Sequence, residues 1–196
     1  MKIGIYSSID VGLVHDLSIP YIGVDNGLIH LLNQNITPIK VIGDMDSLSN
    51  HELLKNYECI KYPAVKDDTD TALALSYAIK EGYTHIDLYG VTKNRLDHFF
   101  AVIALLKRYR HIDINIYDEY NKIKILKKGK HKVYKDHYKY FSLFSFEDTI
   151  ISLSHCLYQL DCYCLKDDDP LCTSNQMLED YAIIETDKDI LFIQSK

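Results

Sequence analysis

The sequence lacks any apolar run long enough to cross a lipid bilayer, which argues against a helical membrane protein. Its first ten residues, MKIGIYSSID, also lack the long apolar region and small-residue cleavage site of a signal peptide. With a net charge of −6, the chain has no excess of lysine and arginine with which to cover a nucleic acid. We therefore expect a cytoplasmic protein that binds neither membranes nor nucleic acids.

Familiar glycine-rich and cysteine motifs are also missing. There is no Walker sequence GxxxxGK[ST] and no GxGxxG, so a bound nucleotide would not be held by a glycine-rich loop. The five cysteines, an odd number, fit a reducing compartment, and they include no CxxC pair. Four of them lie between residues 156 and 172, beside His155, but the usual spacing of zinc ligands is absent, so zinc is the weaker interpretation there.

The chain changes its pattern near residue 120. Before that point, six short apolar runs alternate with stretches of helical periodicity, which predicts a mostly parallel sheet with flanking helices. After it, the spacing is strand-like and predicts an antiparallel β-sandwich, with hairpins at 127–135 and around 187–189. We expect an α/β domain over residues 1–120 and an all-β sandwich domain over 121–196.

Three of the predicted helices carry further expectations. In SNHELLKNY, Ser49 and Glu52 have the spacing of a capping box, which predicts a helix start at Ser49. The stretch TDTALALSYAIKEG should form a helix that stops at Gly82. The stretch RLDHFFAVIALLKRY, residues 95–109, is apolar almost all round, so we expect its helix to be buried.

Acidic residues gather where the predicted parallel strands end. Asp25 ends YIGVD, Asp44 and Asp46 follow IKVIG, DDTD (67–70) follows CIKYP, and RLDH (95–98) follows HIDLYG. Ligands of open α/β sheets bind at the carboxyl ends of the strands, so these groups should lie close together. The DDTD aspartates also stand at a predicted helix start, where aspartate caps the helix and complements its dipole.

Asp44 and Asp46 are different, because Ser49 already supplies the cap of the helix that follows them. Two carboxylates so close together repel each other unless a cation neutralises them. Carboxylate oxygens are suitable ligands for Mg²⁺, which proteins usually hold together with substrate phosphates. The pair is therefore predicted to hold Mg²⁺, and Arg95 is predicted to grip phosphate oxygens with its planar guanidinium group. Lys66 and Lys93 stand in the same loops and could add positive charge, although a solvated surface lysine is the simpler interpretation of either one alone.

Taken as a set, the motifs resemble those of the thiamine pyrophosphokinase family. They are VDNG (24–27), GDMDSL (43–48), KDDTDTALAL (66–75), GVTKNRLDHFFAVIALL (90–106) and TSNQ (173–176). The family joins an α/β domain to a β-sandwich domain. It transfers the pyrophosphoryl group of ATP to the hydroxyl of thiamine, which gives thiamine diphosphate and AMP. The resemblance implies Mg²⁺ as cofactor, ATP as co-substrate, and a homodimer with thiamine bound between the subunits.

The resemblance also implies roles for individual residues. The implied magnesium ligands are Asp44, Asp46 and Asp70. Arg95 and Asp97 join them in the implied catalytic set. The implied ATP-binding residues are Asp25, Asp67, Thr69, Arg95, Asp97 and His98. Ser174 and Asn175 are implied at the thiamine end, although Ser and Asn also favour plain turns.

The chain departs from the family pattern in three loops. The family usually has Asp-Gly-Gly where this chain has Asp25-Asn26-Gly27, and a glycine pair where Lys93 and Asn94 stand. It also usually has Gly-x-x-Tyr-Pro-Leu where HCLYQL (155–160) stands. Glycine permits backbone conformations that other residues adopt only under strain, so these loops are expected to differ in shape. Without tryptophan, a tyrosine or phenylalanine would have to stack on thiamine.

Two other functions fit the same acidic set. The first is a diphosphokinase for another hydroxymethyl heterocycle, such as a pterin, which would share the ATP half. The second is a non-catalytic module that senses a magnesium nucleotide and regulates a partner. The TSNQ segment favours thiamine, and the full acidic set argues against a sensor, which needs fewer metal ligands.

Overall fold

The structure is a computed structural model that describes residues 1–46, 51–62, 68–93 and 95–196. The chain divides into two compact units, Met1–Glu119 and Tyr120–Lys196. In the part of the chain that is described, no helix is long and apolar enough to span a bilayer.

The first unit alternates strands and helices as the sequence predicts. Its strands are β1 (Lys2–Tyr6), β2 (Tyr21–Val24), β3 (Lys40–Gly43), β4 (Cys59–Lys61), β5 (His85–Tyr89) and β6 (Asp113–Tyr117). Its helices are α1 (Gly27–Leu32), a 3₁₀ helix (His51–Asn56), α2 (Asp70–Lys80) and α3 (Leu96–Arg108). The strands lie in the order β6-β5-β1-β2-β3-β4, and all neighbours are parallel. The carboxyl ends of these strands therefore share one edge of the sheet.

The termini of α2 follow from local chemistry. Thr69 has extended backbone angles, and its side chain accepts a hydrogen bond from the amide of Ala72, which caps the helix. After Lys80, the chain turns at Gly82, whose φ of +86° lies in the left-handed region that glycine adopts without strain. The predicted stop at Gly82 is confirmed.

Of the two other helix predictions, one falls partly outside the described residues and the other is wrong on one face of its helix. Ser49 of the expected capping box lies outside the described residues, and the segment His51–Asn56 is a 3₁₀ helix. The prediction that α3 is buried is wrong on one face, because Leu96 is 69% exposed and Phe100 is 70% exposed. These side chains are four residues apart, so they form one apolar stripe on α3.

The second unit contains only strands. They are β7 (Asn121–Leu126), β8 (Gly129–Tyr134), β9 (Tyr140–Phe144), β10 (Thr149–Ser154), β11 (Leu160–Leu165), β12 (Asn175–Gln176), β13 (Tyr181–Thr186) and β14 (Ile190–Ser195). Strands β12-β9-β14-β7 form one antiparallel sheet, and β11-β10-β13-β8 form another. Apolar side chains from both sheets share one core, including Phe141, Leu143, Ile151, Ile184 and Phe192. This is the predicted sandwich.

Both predicted hairpins of the second unit are wrong. Strand β7 pairs with β14, and β8 pairs with β13, so the basic segment 127–135 contains β8 of one sheet and the short turn that leads to it from β7 of the other. Likewise, β13 and β14 belong to different sheets, and residues 187–189 carry the chain from one to the other. Alternation of apolar residues shows that a segment is a strand but does not identify its partner.

Candidate active site

A cleft of about 550 Å³ lies in the first unit, among residues that follow the carboxyl ends of its parallel strands. Its walls come from the segments after β1, β2 and β5 and from the first turns of α2 and α3. The lining residues are Ser7, Ser8, Ile9, Asp25, Asp68, Thr69, Asp70, Thr71, Gly90, Val91, Arg95, His98 and Val102. The cleft thus brings together five of the site residues expected from the sequence: Asp25, Thr69, Asp70, Arg95 and His98.

Other expected residues lie elsewhere. Asp44 and Asp46 follow β3 and are not among the lining residues, and the Asp46 amide donates a hydrogen bond to Asp44 Oδ1 at 3.1 Å. Asp97 does not line the cleft but contacts Arg95, which does. Asp67 and Lys66 lie outside the described residues.

The Asp25 side chain lies against the turn that carries Asp44. Asp25 has a φ of +48°, its amide donates to the Ile42 carbonyl, and its Oδ1 accepts from the Met45 amide at 3.4 Å. A Cβ at Gly43 would lie only 1.9 Å from Asp25 Oδ1, and Gly43 has a φ of +149°. Glycine is therefore required at residue 43 for the two acidic loops to approach each other.

Three buried tyrosines hold the loop between β1 and β2, residues 7–20. The hydroxyls of Tyr6, Tyr21 and Tyr89 bond backbone groups of this loop at distances of 2.6 to 3.1 Å. Burial raises the pKa of each of these hydroxyls above the usual value for tyrosine. The start of this loop, Ser7–Ile9, forms one wall of the cleft, and the amides of Ser7 and Ile9 donate to the carbonyls of Tyr89 and Gly90.

Arg95 and Asp97 form a two-point contact at the start of α3. Arg95 Nε and Nη2 donate to the two carboxylate oxygens of Asp97 at 3.2 and 2.5 Å. The hydrogen bonds hold the pKa of Asp97 below its usual value and raise that of Arg95. Both side chains are about two-thirds exposed, at 66% and 64%. Asp97 thus orients a guanidinium group that remains accessible from the solvent.

Two further basic residues form ion pairs in the first unit. Arg108 Nη1 lies 3.7 Å from Asp68 Oδ1. The positive charge of this α3 residue therefore balances part of the negative charge of the cleft. Lys93 Nζ lies 3.9 Å from Glu119 Oε2, which places its charge beside an acid of the same unit.

Ser174 and Asn175 lie in the second unit, and the Asn175 side chain serves the fold there. Asn175 is only 3% exposed. Its Oδ1 accepts from the Tyr158 amide at 3.0 Å, and its Nδ2 donates to the Tyr158 carbonyl at 2.8 Å. Ser174 has a φ of +59°, and its amide donates to Ser142 Oγ at 3.0 Å. Asn175 therefore holds the segment around Tyr158 in place.

Two family models match the chain, one in each unit. The thiamin pyrophosphokinase catalytic domain matches residues 15–117, and the thiamin pyrophosphokinase vitamin B1 binding domain matches residues 130–191. The chain belongs to the thiamine pyrophosphokinase family. The resemblance found in the motifs is confirmed.

Relatives of this family cover nearly the whole chain. A thiamine pyrophosphokinase of Bacillus subtilis (strain 168) is 31% identical over 182 residues, which is 88% of this chain and 85% of the relative. The solved structure of the Bacillus subtilis enzyme covers 100% of this chain and 99% of its own, with a TM-score of 0.89 and 28% identity. A thiamin pyrophosphokinase family protein from Enterococcus faecalis covers the same shares, with a TM-score of 0.90 and 26% identity. The predicted fold class is confirmed.

The structure accounts for the three departures from the family's glycine pattern. Asn26 has a right-handed backbone (φ −61°, ψ −13°), so glycine is not needed there. Gly27 is retained, because a Cβ at this position would lie 1.8 Å from the Tyr6 carbonyl oxygen. Lys93 and His155 instead have φ values of +75° and +59°. At these two positions the chain keeps the left-handed backbone that favours the family's glycine.

Several cleft residues were missed at the level of sequence: Ser7, Ser8, Ile9, Thr71 and Val102. Ser7 directly follows β1, so the carboxyl-end rule that selected the aspartates also applies to it. Val102 lies four residues after His98 on α3, so the helical repeat places both on one face.

Proposed function

We propose that this chain transfers the pyrophosphoryl group of ATP to thiamine. The hydroxyethyl oxygen of thiamine forms a bond to the β-phosphorus and loses its proton. The bond from the β-phosphorus to the oxygen that bridges it to the α-phosphorus breaks, and AMP leaves with that oxygen. The observation that carries the proposal is the cleft that joins Asp25, Asp70 and Arg95, in a chain matched by both domains of the family.

Asp44, Asp46 and Asp70 supply the carboxylates for Mg²⁺. Within the described ranges, no three His, Cys, Asp or Glu side chains are already grouped as a metal site. Mg²⁺ does not need such a group, because it usually takes one or two carboxylates and completes its shell with water and substrate phosphates. Hard carboxylate oxygens therefore fit this ion. When bound, Mg²⁺ neutralises negative charge on the phosphates.

The remaining cleft residues bind and orient ATP. Arg95, held by Asp97, has the planar geometry that grips two phosphate oxygens at once. Asp25 supports the turn that carries Asp44, and Thr69 caps the helix that begins with Asp70. His98 lines the cleft and completes this group. Asp67, which lies outside the described residues, belongs to it through the family motif.

The second unit is proposed to recognise thiamine, with Ser174 and Asn175 shaping the site. Both polar atoms of the Asn175 side chain already bond the backbone of Tyr158, which favours an indirect role for Asn175 in shaping the thiamine site. Tyr158 is itself 63% exposed, so its ring is available to stack on an aromatic ligand.

A homodimer is proposed on the exposed apolar side chains of the second unit. Leu157, Tyr158 and Leu178 are 48%, 63% and 62% exposed. They flank the bridge between Cys156 and Met177, so they are neighbours on one surface. Adjacent exposed apolar groups of this kind mark interaction surfaces, and a second copy with thiamine between the subunits would cover them.

Product analysis tests this function directly. The protein is mixed with Mg²⁺, ATP and thiamine, and the spent reaction is separated by chromatography. We expect AMP and thiamine diphosphate in equal amounts. ADP with thiamine monophosphate would show attack at the γ-phosphorus, as in an ordinary kinase, and would refute the proposal.

A further inference from the structure

Two hydroxyl groups meet inside the cleft. Ser7 follows the carboxyl end of β1, and Thr71 is the second residue of α2, directly after Asp70. Ser7 Oγ and Thr71 Oγ1 are 3.0 Å apart, and both residues line the cleft.

The pair has one proton more than its own hydrogen bond uses. Each hydroxyl carries one proton and can also accept. In a bond between two hydroxyls one proton is donated, and the accepting hydroxyl keeps its own. Across the described residues, neither hydroxyl has another hydrogen-bond partner. One O–H of the pair is therefore free to donate to a third group.

The position of this donor is fixed by its surroundings. Ser7 is only 6% exposed, and its amide donates to the Tyr89 carbonyl at 2.8 Å. A Cβ at Gly90 would lie 2.6 Å from the Ser7 carbonyl oxygen, so the backbone segments are tightly packed here. A donor held on a strand end in this way is preorganised for a ligand and loses little freedom on binding.

The chemistry of the cleft selects the acceptor. Asp70 lies beside Thr71 in the chain, and Arg95 lines the same cleft, so carboxylates for a metal and a cation for phosphates are both present. We propose that the Ser7–Thr71 pair donates one hydrogen bond to a phosphate oxygen of ATP. This assignment rests on the function proposed above and adds a binding element to it.

Substitutions that remove one hydroxyl at a time test the pair. The variants are Ser7→Ala, Thr71→Val and the double variant, with Thr71→Ser as a conservative variant that keeps the hydroxyl. Ser145→Ala is the matched control, because Ser145 is a buried serine of the second unit whose hydroxyl donates to the Lys166 carbonyl. Calorimetry measures the Kd of thiamine and of an ATP analogue with a methylene group between the α- and β-phosphorus. Unfolding midpoints show that each variant is folded.

One of the two single variants is expected to bind the ATP analogue about tenfold more weakly, since a bond to a charged acceptor is lost. The double variant should lose no more than that single variant, because the pair has only one proton to donate. Thr71→Ser and Ser145→Ala should bind the analogue like wild type, and thiamine affinity should not change. Affinities within twofold of wild type in both single variants, or losses that add in the double variant, would overturn the proposal.

The same measurements separate this proposal from the function itself. Wild-type protein that binds the analogue but forms no AMP with thiamine would overturn the proposed function. Wild-type turnover together with unchanged affinity in the hydroxyl variants would overturn only the role of the pair.

Discussion

The polar residues expected at the two functional regions are built into the protein in opposite ways. At the cleft of the first unit, the side chains of Arg95 and Asp97 bond each other and remain about two-thirds exposed. In the second unit, Asn175 is almost fully buried and bonds the backbone of Tyr158 on both sides. Changes in the cleft should therefore affect activity alone, whereas a change at Asn175 should affect stability as well.

The largest effect on activity is expected at the acidic turn after β3. Asp44→Asn or Asp46→Asn should lower kcat/KM on the order of 10³-fold, because the proposed magnesium ion, which would offset phosphate charge, would be held less well. The free energy of unfolding should change by no more than about 0.5 kcal/mol, as is usual for residues outside the core. Steady-state kinetics and urea unfolding measure both quantities. Asp148→Asn, at an exposed acid of the second unit, is the control. Near-normal turnover in both the Asp44 and the Asp46 variant would exclude the magnesium assignment.

Arg95 should show the next largest effect. Arg95→Lys keeps the charge but loses the planar two-point geometry, so kcat/KM should fall about tenfold, and about 100-fold in Arg95→Ala. Stability should be unchanged, because this side chain is exposed. The exposed Arg110→Lys serves as the matched control. Wild-type kinetics in Arg95→Lys would mean that Arg95 acts only as a point charge or takes no part.

Asn175→Ala should give the opposite profile. Removing the side chain leaves the Tyr158 amide and carbonyl without their partner, which should cost about 2 kcal/mol of unfolding free energy. Thiamine affinity should fall about tenfold, as the segment around Tyr158 loosens, while ATP affinity stays unchanged. Calorimetric titration of each ligand and urea unfolding give these values, with Asn115→Ala in β6 as control. A stable variant with normal thiamine affinity would contradict the proposed role.

The smallest effects concern the glycines that this chain lacks. At residues 93 and 155, whose backbones are left-handed, glycine should be more stable than alanine by about 1 kcal/mol. At residue 26 the backbone is right-handed, so that preference should disappear. Thermal unfolding of the Gly and Ala variants at each position measures the differences. An equal preference at all three positions would show that backbone conformation is not the cause.

Sequence patterns predicted the parallel sheet well, because the alternation of strands and helices follows from rules local to each segment. Asp25 and Asp70 meet because parallel strands place their carboxyl ends on one edge. Partners that are chosen by the tertiary core were not predictable in this way. The strands on either side of residues 187–189 pair in different sheets, although their alternating pattern resembles that of a hairpin.

Residue composition also gave a wrong prediction for α3, because it does not distinguish the buried face of a helix from an exposed one. The α3 sequence is apolar on most sides, yet Leu96 and Phe100 are exposed while Val102, Leu105 and Leu106 are buried. Ser7 shows the converse case. This small uncharged residue stands at a strand end but carries no charge to distinguish it, and the structure places it in the cleft beside Thr71.

The place of β1 in the sheet has a consequence for synthesis of the chain. β1 lies between β2 and β5, and Lys2 pairs with His85. During translation, more than 80 further residues must therefore be synthesised after β1 before β5, its second neighbour, leaves the ribosome. Until then one edge of an apolar strand is open to wrong pairing, and long-range parallel contacts of this kind form slowly. β1 and β5 build one wall of the cleft together, so we expect this wall to form late in folding. Chaperones would then matter most while the chain is still being synthesised.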